Sequence, residues 1–287
     1  MVQWRGGRRS GNVQDLRGSR AVRAGGLGGG LGLVVLLVVV LLGGNPLQVL
    51  QMLQGGGAAP AVTDTPDGAA PADEVGAYLS AILAMTEDVW SGLFAQNGLD
   101  YREPTLVLFS GSVQSACGFN TAASGPFYCP PDENLYLDTS FFQELAGMGG
   151  PGDFAQAYVV GHEVGHHAQT LLGTSEFVRG LQQSAGSQAE ANELQVLMEL
   201  QADCYAGVWA HHANATGRIL EPGDVGEGLA AAAAIGDDRI MQRAGWEATP
   251  ESFTHGSAEQ RQQWLETGLQ TGEVEACDTF GAAGISR

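Results

Sequence analysis

Two histidines four residues apart, His162 and His166, lie in a stretch of strong helical periodicity. Apolar or small residues recur there every three or four positions, at Phe154, Ala157, Tyr158, Gly161, Val164, Gly165, Ala168 and Leu172. Residues four apart lie on one face of an α-helix, so both imidazoles share a face with Gln169, beside the apolar stripe. The stretch therefore predicts a helix whose apolar side enters a core while its polar side lines a cleft.

The start and the interior of this helix carry further signals. Gly149-Gly150-Pro151-Gly152 breaks the preceding structure, and Asp153 is the predicted N-cap. Glycine inside a helix costs about 1 kcal/mol relative to alanine. Gly161 and Gly165 therefore indicate that another backbone packs closely against the helix.

The two histidines and Glu163 form the pattern His-Glu-x-x-His, in which both imidazoles can bind one metal ion while the carboxylate faces a bound water. A catalytic zinc also needs a third protein ligand. Glu199 and Asp203 lie four apart on a predicted second helix. We expect Glu199 to complete the set of His162, His166 and Glu199, and Asp203 to accept the other ring N–H of His162.

The motif His162-Glu163-x-x-His166, followed by Glu199-x-x-x-Asp203, resembles the gluzincin clan, and further segments resemble the bacterial, membrane-anchored family of neutral zinc metallopeptidases. Those segments are Trp4-Arg5-Gly6 with Asn12-Val13, Gly125-Pro126-Phe127-Tyr128-Cys129-Pro130, Pro151-Gly152-Asp153-Phe154-Ala155-Gln156-Ala157-Tyr158, residues 199–209, residues 233–239 and Ser252-Phe253-Thr254-His255-Gly256. They occur in order over nearly the whole chain outside residues 44–73. The resemblance implies a zincin-type fold, a zinc cofactor and a peptide or protein substrate.

The resemblance also concerns two residues outside the ligand set. In thermolysin-like enzymes a histidine far downstream donates a hydrogen bond to the developing oxyanion, and His255 is the candidate here. A structural hydrogen bond at a helix start is the alternative role for His255. The residue before Glu199 is Met198. An asparagine at this position could hydrogen-bond His166 through its side-chain amide, whereas methionine cannot.

These residues predict a membrane-anchored zinc endopeptidase in which Glu163 takes a proton from water and passes it to the leaving amine. Two alternatives remain open: a membrane-tethered binding or scaffold domain with a structural zinc, and a zinc hydrolase of a non-peptide amide. A purely structural site has no use for a carboxylate at position 163. The predicted strand 135–137 is a candidate for aligning an extended peptide.

An apolar segment precedes the predicted domain. Residues 31–42 are apolar apart from Gly32, and with the preceding glycines the segment reaches about 18 residues, near the lower limit for a membrane-spanning helix. The arginines before it place the N-terminus in the cytoplasm and the remainder beyond the cell membrane. We therefore predict a disordered, cytoplasmic basic tail (1–24), a single transmembrane anchor (25–43), a flexible linker (44–73) and an extracytoplasmic zinc metallopeptidase domain (74–287). A cleaved signal peptide is the alternative.

Export also governs the interpretation of the cysteines. Cys117, Cys129, Cys204 and Cys277 are an even number, as expected for an oxidising compartment, and four cysteines allow three pairings. We expect Cys117 to close a local loop with Cys129, and Cys204 to join Cys277. The net charge of −19 and the absence of lysine make nucleic acid a poor partner.

Periodicity over the rest of the chain predicts an α+β fold: a helix-dominated, zincin-like metallopeptidase domain with a small β-hairpin or sheet, preceded by one transmembrane helix. The predicted elements are helices near 74–97, 140–145 and 188–212, others from about 221 and after 257, a strand at 106–109, and a hairpin of 127–129 with 135–137.

Overall fold

The computed structural model describes residues 1–17, 71 and 73–286. Helices dominate this part of the chain, and two small sheets lie beside them. The helices are α1 (Glu74–Gln96), α2 (Phe141–Gly147), α3 (Asp153–Leu171), α4 (Thr174–Ser184), α5 (Gln188–Gly217), α6 (Asp224–Ala234), α7 (Asp237–Arg243), α8 (Ala258–Thr271) and α9 (Thr279–Ala282). The predicted helix-dominated α+β class is confirmed.

The main sheet has four strands, in the spatial order β1 (Val13–Asp15), β2 (Thr105–Phe109), β6 (Asn134–Asp138) and β5 (Phe127–Cys129). β1, β2 and β6 run parallel, and β5 runs antiparallel to β6 as the predicted hairpin requires. Alternate residues of β2 enter two different cores, with Leu106 and Leu108 facing the helices and Val107 facing the other side. β3 (Ser112–Ser115) and β4 (Gly118–Thr121) form a separate hairpin.

Helix α5 packs closely against both glycines of α3, and the predicted approach of another backbone is confirmed at Gly165 but not at Gly161, where the neighbour is a side chain. A Cβ on Gly165 would lie 2.9 Å from the carbonyl oxygen of Ala202. A Cβ on Gly161 would lie 2.8 Å from the ring of Trp209. The absence of side chains at these two positions therefore lets the helix with the two histidines approach the helix with Glu199.

The N-terminus of α3 differs from the prediction. The helix begins at Asp153 and its N-cap is Gly152, whose φ of 124° is open to glycine at little cost. The predicted N-cap role of Asp153 is therefore wrong. Glu227 accepts the backbone N–H of Phe154 at 3.0 Å, and Asp153 accepts that of Val2 at 2.6 Å. Carboxylates at this end of a helix are favourable because the backbone dipole is positive there.

Residues 1–17 belong to the same compact unit as residues 73–286. β1 pairs with β2, the side chains of Val2 and Val13 are buried, and Arg8 forms an ion pair with buried Glu87 at 2.7 Å. The prediction of a disordered basic tail is therefore wrong for these residues. A single membrane crossing between β1 and β2 would put two hydrogen-bonded strands on opposite sides of the bilayer.

The predicted anchor (25–43) and most of the predicted linker (44–73) lie outside the described residues. Of the helices in the described ranges, none combines the length and apolar character needed to cross a bilayer. This finding and the packing of residues 1–17 overturn the predicted transmembrane helix in the fold class. They also overturn the predicted single-pass localisation with a cytoplasmic N-terminus.

Both expected disulfides are present. Cys117 bonds to Cys129 at the end of β5, and Cys204 of α5 bonds to Cys277 in the segment after α8. The predicted pairing is confirmed. Two structural disulfides are typical of proteins that fold in an oxidising compartment.

Candidate metal centre

Three predicted ligands converge at the crossing of α3 and α5. The donor atoms of His162, His166 and Glu199 all lie within 4.8 Å of one another. Oε2 of Glu199 is 3.2 Å from Nε2 of His162 and 3.4 Å from Nε2 of His166. Two imidazole nitrogens and one carboxylate oxygen form a donor set that suits zinc, so the residues present fit this cofactor.

Asp203 lies behind His162, one turn after Glu199 on α5. Its Oδ1 is 2.8 Å from Nδ1 of His162, so a neutral imidazole donates there and directs its Nε2 lone pair towards the other ligands. Arg261 of α8 approaches Oδ2 of Asp203 at 2.8 Å, and the hydroxyl of Tyr158 donates to Oδ1. The sequence pointed to Asp203, but its contacts with Arg261 and Tyr158 depend on how α8 packs.

His166 is supported by Gln169 of the same helix. Oε1 of Gln169 lies 2.9 Å from Nδ1 of His166, and its Nε2 donates to the carbonyl of Met198 at 2.8 Å. The side chain of Met198 cannot hydrogen-bond His166, as expected. The backbone carbonyl of Met198 instead anchors Gln169, and Gln169 hydrogen-bonds His166. The helical spacing already placed Gln169 on the face of the two histidines, although it gave no sign of this contact.

Burial and the neighbouring charges shift the pKa values of two acids at the centre, Glu163 and Asp203, in opposite directions. Burial raises the pKa of Glu163 above its ordinary value. Burial also acts to raise the pKa of Asp203, but Arg261 and His162 outweigh it and lower that pKa to about 2. Asp203 therefore stays ionised at neutral pH, whereas Glu163 is shifted towards the range in which a carboxylate can exchange a proton.

The same carboxylates act on His162. Burial opposes protonation of the ring, but the charge of Asp203 and hydrogen bonds to Asp203 and Glu199 more than offset this and raise the pKa of His162 to about 10. The ring must therefore give up a proton before it can bind a cation, and metal binding at this centre is coupled to proton release.

A cleft with a volume of about 600 Å³ opens beside the centre and includes the three ligands and Glu163. His255 lines this cleft as well, and half of its side chain is exposed. Its Nδ1 lies 3.0 Å from Oγ1 of Thr254 and 3.3 Å from Oδ1 of Asp237. The structure thus brings together both predicted catalytic residues, Glu163 and His255, with the predicted ligands.

Strand β5 borders the cleft, and residues 123–128 line it. β5 is an outer strand of the sheet, whereas β6 is paired on both sides, with β2 and with β5. The prediction that residues 135–137 align a peptide is therefore wrong, because β6 has no free edge for an added strand.

Comparison with known families identifies the chain at the level of family. A sequence profile of the family described as "Putative neutral zinc metallopeptidase" matches residues 2–280. The chain belongs to this family. The match begins in the segment that contributes β1 and ends within α9, so it includes the packed N-terminal residues.

Relatives of known sequence are similar over much of their length. "Uncharacterized protein YpfJ" of Escherichia coli (strain K12) is 44% identical over 286 residues, which cover 98% of this chain and 99% of that protein. "Uncharacterized protein Mb2605" of Mycobacterium bovis is 48% identical over 197 residues, which cover 64% of this chain and 65% of that protein. No solved structure matches.

Proposed function

We propose that the chain is a zinc-dependent endopeptidase with His162, His166 and Glu199 as metal ligands and Glu163 as general base. The observation that carries the proposal is the convergence of three donors beside an open cleft, with Glu163 on the same helix as the two histidines. Among the described residues this group has three donors rather than four. Three protein ligands and a fourth, exchangeable position distinguish a catalytic zinc from a structural one.

Each residue has a task in this proposal. When bound, zinc supplies Lewis acidity at the scissile carbonyl and makes water more acidic. Glu163 takes a proton from the attacking water and passes it to the leaving amine, a task that its raised pKa suits. Asp203 and Gln169 keep the two imidazoles in one tautomer and orientation. His255 lies in the cleft, where it is positioned to donate a hydrogen bond to the oxyanion.

The substrate we propose is an extended peptide or protein segment. Among the strands of the described residues β5 pairs only with β6, and residues next to β5 line the cleft. An extended chain can add to the edge of such a strand through backbone hydrogen bonds, while alternate side chains enter pockets on either side. The net charge of −19 argues against nucleic acid as the bound polymer.

Substitution of Glu163 by glutamine tests this function in the full chain. Glu163→Gln should bind one zinc per molecule as the wild type does, while cleavage of a peptide library falls by about 10²–10⁴-fold, the usual contribution of a general base. Glu144→Gln is the matched control, because Glu144 lines the same cleft but belongs to α2. Removal of zinc with a chelator should abolish cleavage, and added zinc should restore it.

Retained proteolysis in purified Glu163→Gln would refute the assigned base. A wild-type protein that holds one zinc but cleaves no peptide would instead support a binding or scaffold domain with a structural metal. Parallel assays on cell-wall fragments detect hydrolysis of a non-peptide amide.

A further inference from the structure

A chain of hydrogen bonds runs from His166 to the Cys204–Cys277 disulfide. Gln169 accepts from Nδ1 of His166 at 2.9 Å, and its Nε2 lies 3.1 Å from Oε1 of Gln201. Nε2 of Gln201 in turn donates to the carbonyl of Cys277 at 2.9 Å. Gln169, Gln201 and both cysteines are buried, so water does not compete for these bonds.

The partners of Gln169 determine which way its amide points. Its Nε2 faces two oxygens, the carbonyl of Met198 and Oε1 of Gln201. If the amide were rotated, its oxygen would face these two oxygens in a buried site, which removes both hydrogen bonds and is strongly unfavourable. Oε1 of Gln169 therefore faces His166, and the proton of that ring is held on Nδ1. The lone pair on Nε2 of His166 remains free for the cation.

We propose that Gln169 and Gln201 are positioning residues for the zinc ligand His166, and that the Cys204–Cys277 disulfide anchors them. This inference rests on the proposed zinc site. Cys277 lies in a short segment after α8, and the disulfide is the covalent link that ties its carbonyl to α5. Without that link the carbonyl can move away from Gln201, and the fixed orientation of Gln169 is lost.

Zinc affinity, measured on the full chain by competition with a chromogenic chelator, tests the two glutamines without any need for turnover. Gln169→Leu and Gln201→Leu should each weaken zinc binding by about 10- to 100-fold, as loss of a partner behind a ligand usually does. Gln169→Glu should retain more affinity than Gln169→Leu, because a carboxylate still accepts the Nδ1 proton. The absorption spectrum of bound Co²⁺ should change in the leucine variants and reports the ligand geometry directly.

The chain offers a matched control for the disulfide. The double substitution Cys204→Ala/Cys277→Ala should weaken zinc binding as much as Gln201→Leu does. Cys117→Ala/Cys129→Ala removes the other disulfide and should leave the affinity unchanged. If the first double variant fails to fold, as judged by circular dichroism, the two glutamine variants decide the question.

Wild-type zinc affinity and an unaltered Co²⁺ spectrum in Gln169→Leu and Gln201→Leu would overturn the proposal. That outcome differs from failure of the proposed function, in which the wild type itself would hold no zinc at this site.

An independent observation concerns Arg179 of α4, which brings a positive charge into the cleft of a strongly acidic protein. The other arginine that lines the cleft, Arg261, is buried and paired with Asp203. Arg179 is exposed, and no residue of the described ranges forms an ion pair or hydrogen bond with it. Its guanidinium is therefore available to a ligand in the cleft.

Hydrogen bonds place the face of α4 with Arg179 close to the metal centre. Gln182 lies one turn further along α4 and also lines the cleft. Its Nε2 is 3.2 Å from Oε1 of Gln195, and Nε2 of Gln195 donates to Oε1 of Glu199 at 2.9 Å. Two amides thus connect this face of α4 to a zinc ligand, and Arg179 lines the same cleft as that ligand.

We infer that Arg179 is a specificity-determining residue that binds a substrate carboxylate close to the cleavage site. This inference also rests on the proposed peptidase function. The planar guanidinium matches a carboxylate with two parallel hydrogen bonds. Either an acidic side chain or the free C-terminus of the substrate can supply that group.

Matched peptides distinguish the two sources and test the inference. One series replaces Glu by Gln at each position around the cleavage site, and the other compares a free with an amidated C-terminus. Binding is measured on zinc-loaded Glu163→Gln protein and cleavage on wild type. Arg179→Gln should reduce the preference for the carboxylate peptide by about tenfold, and Arg179→Glu should reverse it in favour of lysine. Cleavage of neutral peptides should change less than cleavage of carboxylate peptides in both Arg179 variants.

Arg218→Gln is the control, because the Arg218 side chain likewise forms no ion pair or hydrogen bond with the described residues, and Arg218 is the C-cap of α5, away from the cleft lining. Equal use of carboxylate and neutral peptides by the wild type, or an unaltered preference in Arg179→Gln, would overturn the inference. Cleavage of no peptide at all would count against the proposed function, and the binding measurement would still decide the role of Arg179.

Discussion

Substitution of Gly165 by alanine measures how closely the helix with the two histidines must approach the helix with Glu199. A Cβ at Gly165 would lie 2.9 Å from the carbonyl oxygen of Ala202 and 3.1 Å from its Cα. Ordinary van der Waals contact begins at 3.4 Å, so α5 must move away by at least the 0.5 Å difference. The obstructing atoms are backbone and cannot rotate aside.

Two effects of this substitution oppose each other. Alanine is the better helix former by about 1 kcal/mol, whereas overpacking of a close-fitting interface costs about 1–3 kcal/mol. We expect a net loss of about 2 kcal/mol in the free energy of unfolding, since rigid atoms place the clash near the upper end of that range. Zinc binding should suffer more than the fold. Glu199 lies less than one turn from Ala202, and a site tolerates displacements of only about 0.5 Å, so we expect at least a tenfold loss of zinc affinity.

Urea unfolding and chelator competition on the full chain measure both quantities. Gly92→Ala is the matched control, because a Cβ at this position of α1 meets no atom within 4 Å. The same chemical change should there stabilise the protein by up to about 1 kcal/mol and leave zinc affinity unaltered. If Gly165→Ala behaved like Gly92→Ala in both assays, close approach of α3 and α5 would not be what positions the third ligand.

Three further predictions concern residues that support the centre or the fold. Arg261→Met should lower the free energy of unfolding by about 3–5 kcal/mol, because it leaves Asp203 buried without its cation; a melting temperature equal to that of the wild type would contradict this. Burial acts to raise the pKa of Asp237, but hydrogen bonds from residues 254–256 outweigh it and lower that pKa. These hydrogen bonds therefore stabilise the folded protein at pH values above the ordinary pKa of a carboxylate. The stabilisation is lost as the pH falls through the lower pKa that Asp237 has in the folded protein. Asp237→Asn should therefore destabilise by about 1.5–3 kcal/mol at neutral pH, and by little in strong acid, which urea unfolding at both pH values checks. Deletion of residues 1–17 should expose the edge of β2 and cause association detectable by light scattering, whereas a monomer as stable as the full chain would show that β1 is dispensable.

Local periodicity explains why so much of the helical fold could be predicted from the sequence. α1 was predicted to begin at Glu74, where the structure begins it, and the hairpin of β5 and β6 was predicted because its turn is short. Helix α4 was missed although Phe177, Val178 and Leu181 form an apolar stripe at helical spacing, because the segment is only 11 residues long. These predictions depend on the pattern of residues within one short segment of the sequence, without any contact to a distant segment.

Interactions between distant segments account for what the sequence did not reveal. The arginine- and glycine-rich composition of residues 1–17 indicated disorder, but Arg8 finds a buried carboxylate on α1 and Val13 finds a partner strand. The His-Glu-x-x-His spacing located the metal helix because its geometry is local. Arg261 behind Asp203 and Gln201 behind Gln169 come from other helices, so their contacts appear only after α5 and α8 have packed.

The position of β1 in the sheet has a consequence for biosynthesis. Val13 pairs with Leu106, and the backbone N–H of Gln3 donates to the carbonyl of Ile219 at 2.8 Å. Residues 1–17 therefore wait for partners that are translated much later, and contacts between such distant segments form slowly. Nascent chains stalled beyond Ile219 should protect residues 1–17 from protease, whereas chains stalled before Leu106 should leave them open to cleavage and to capture by chaperones.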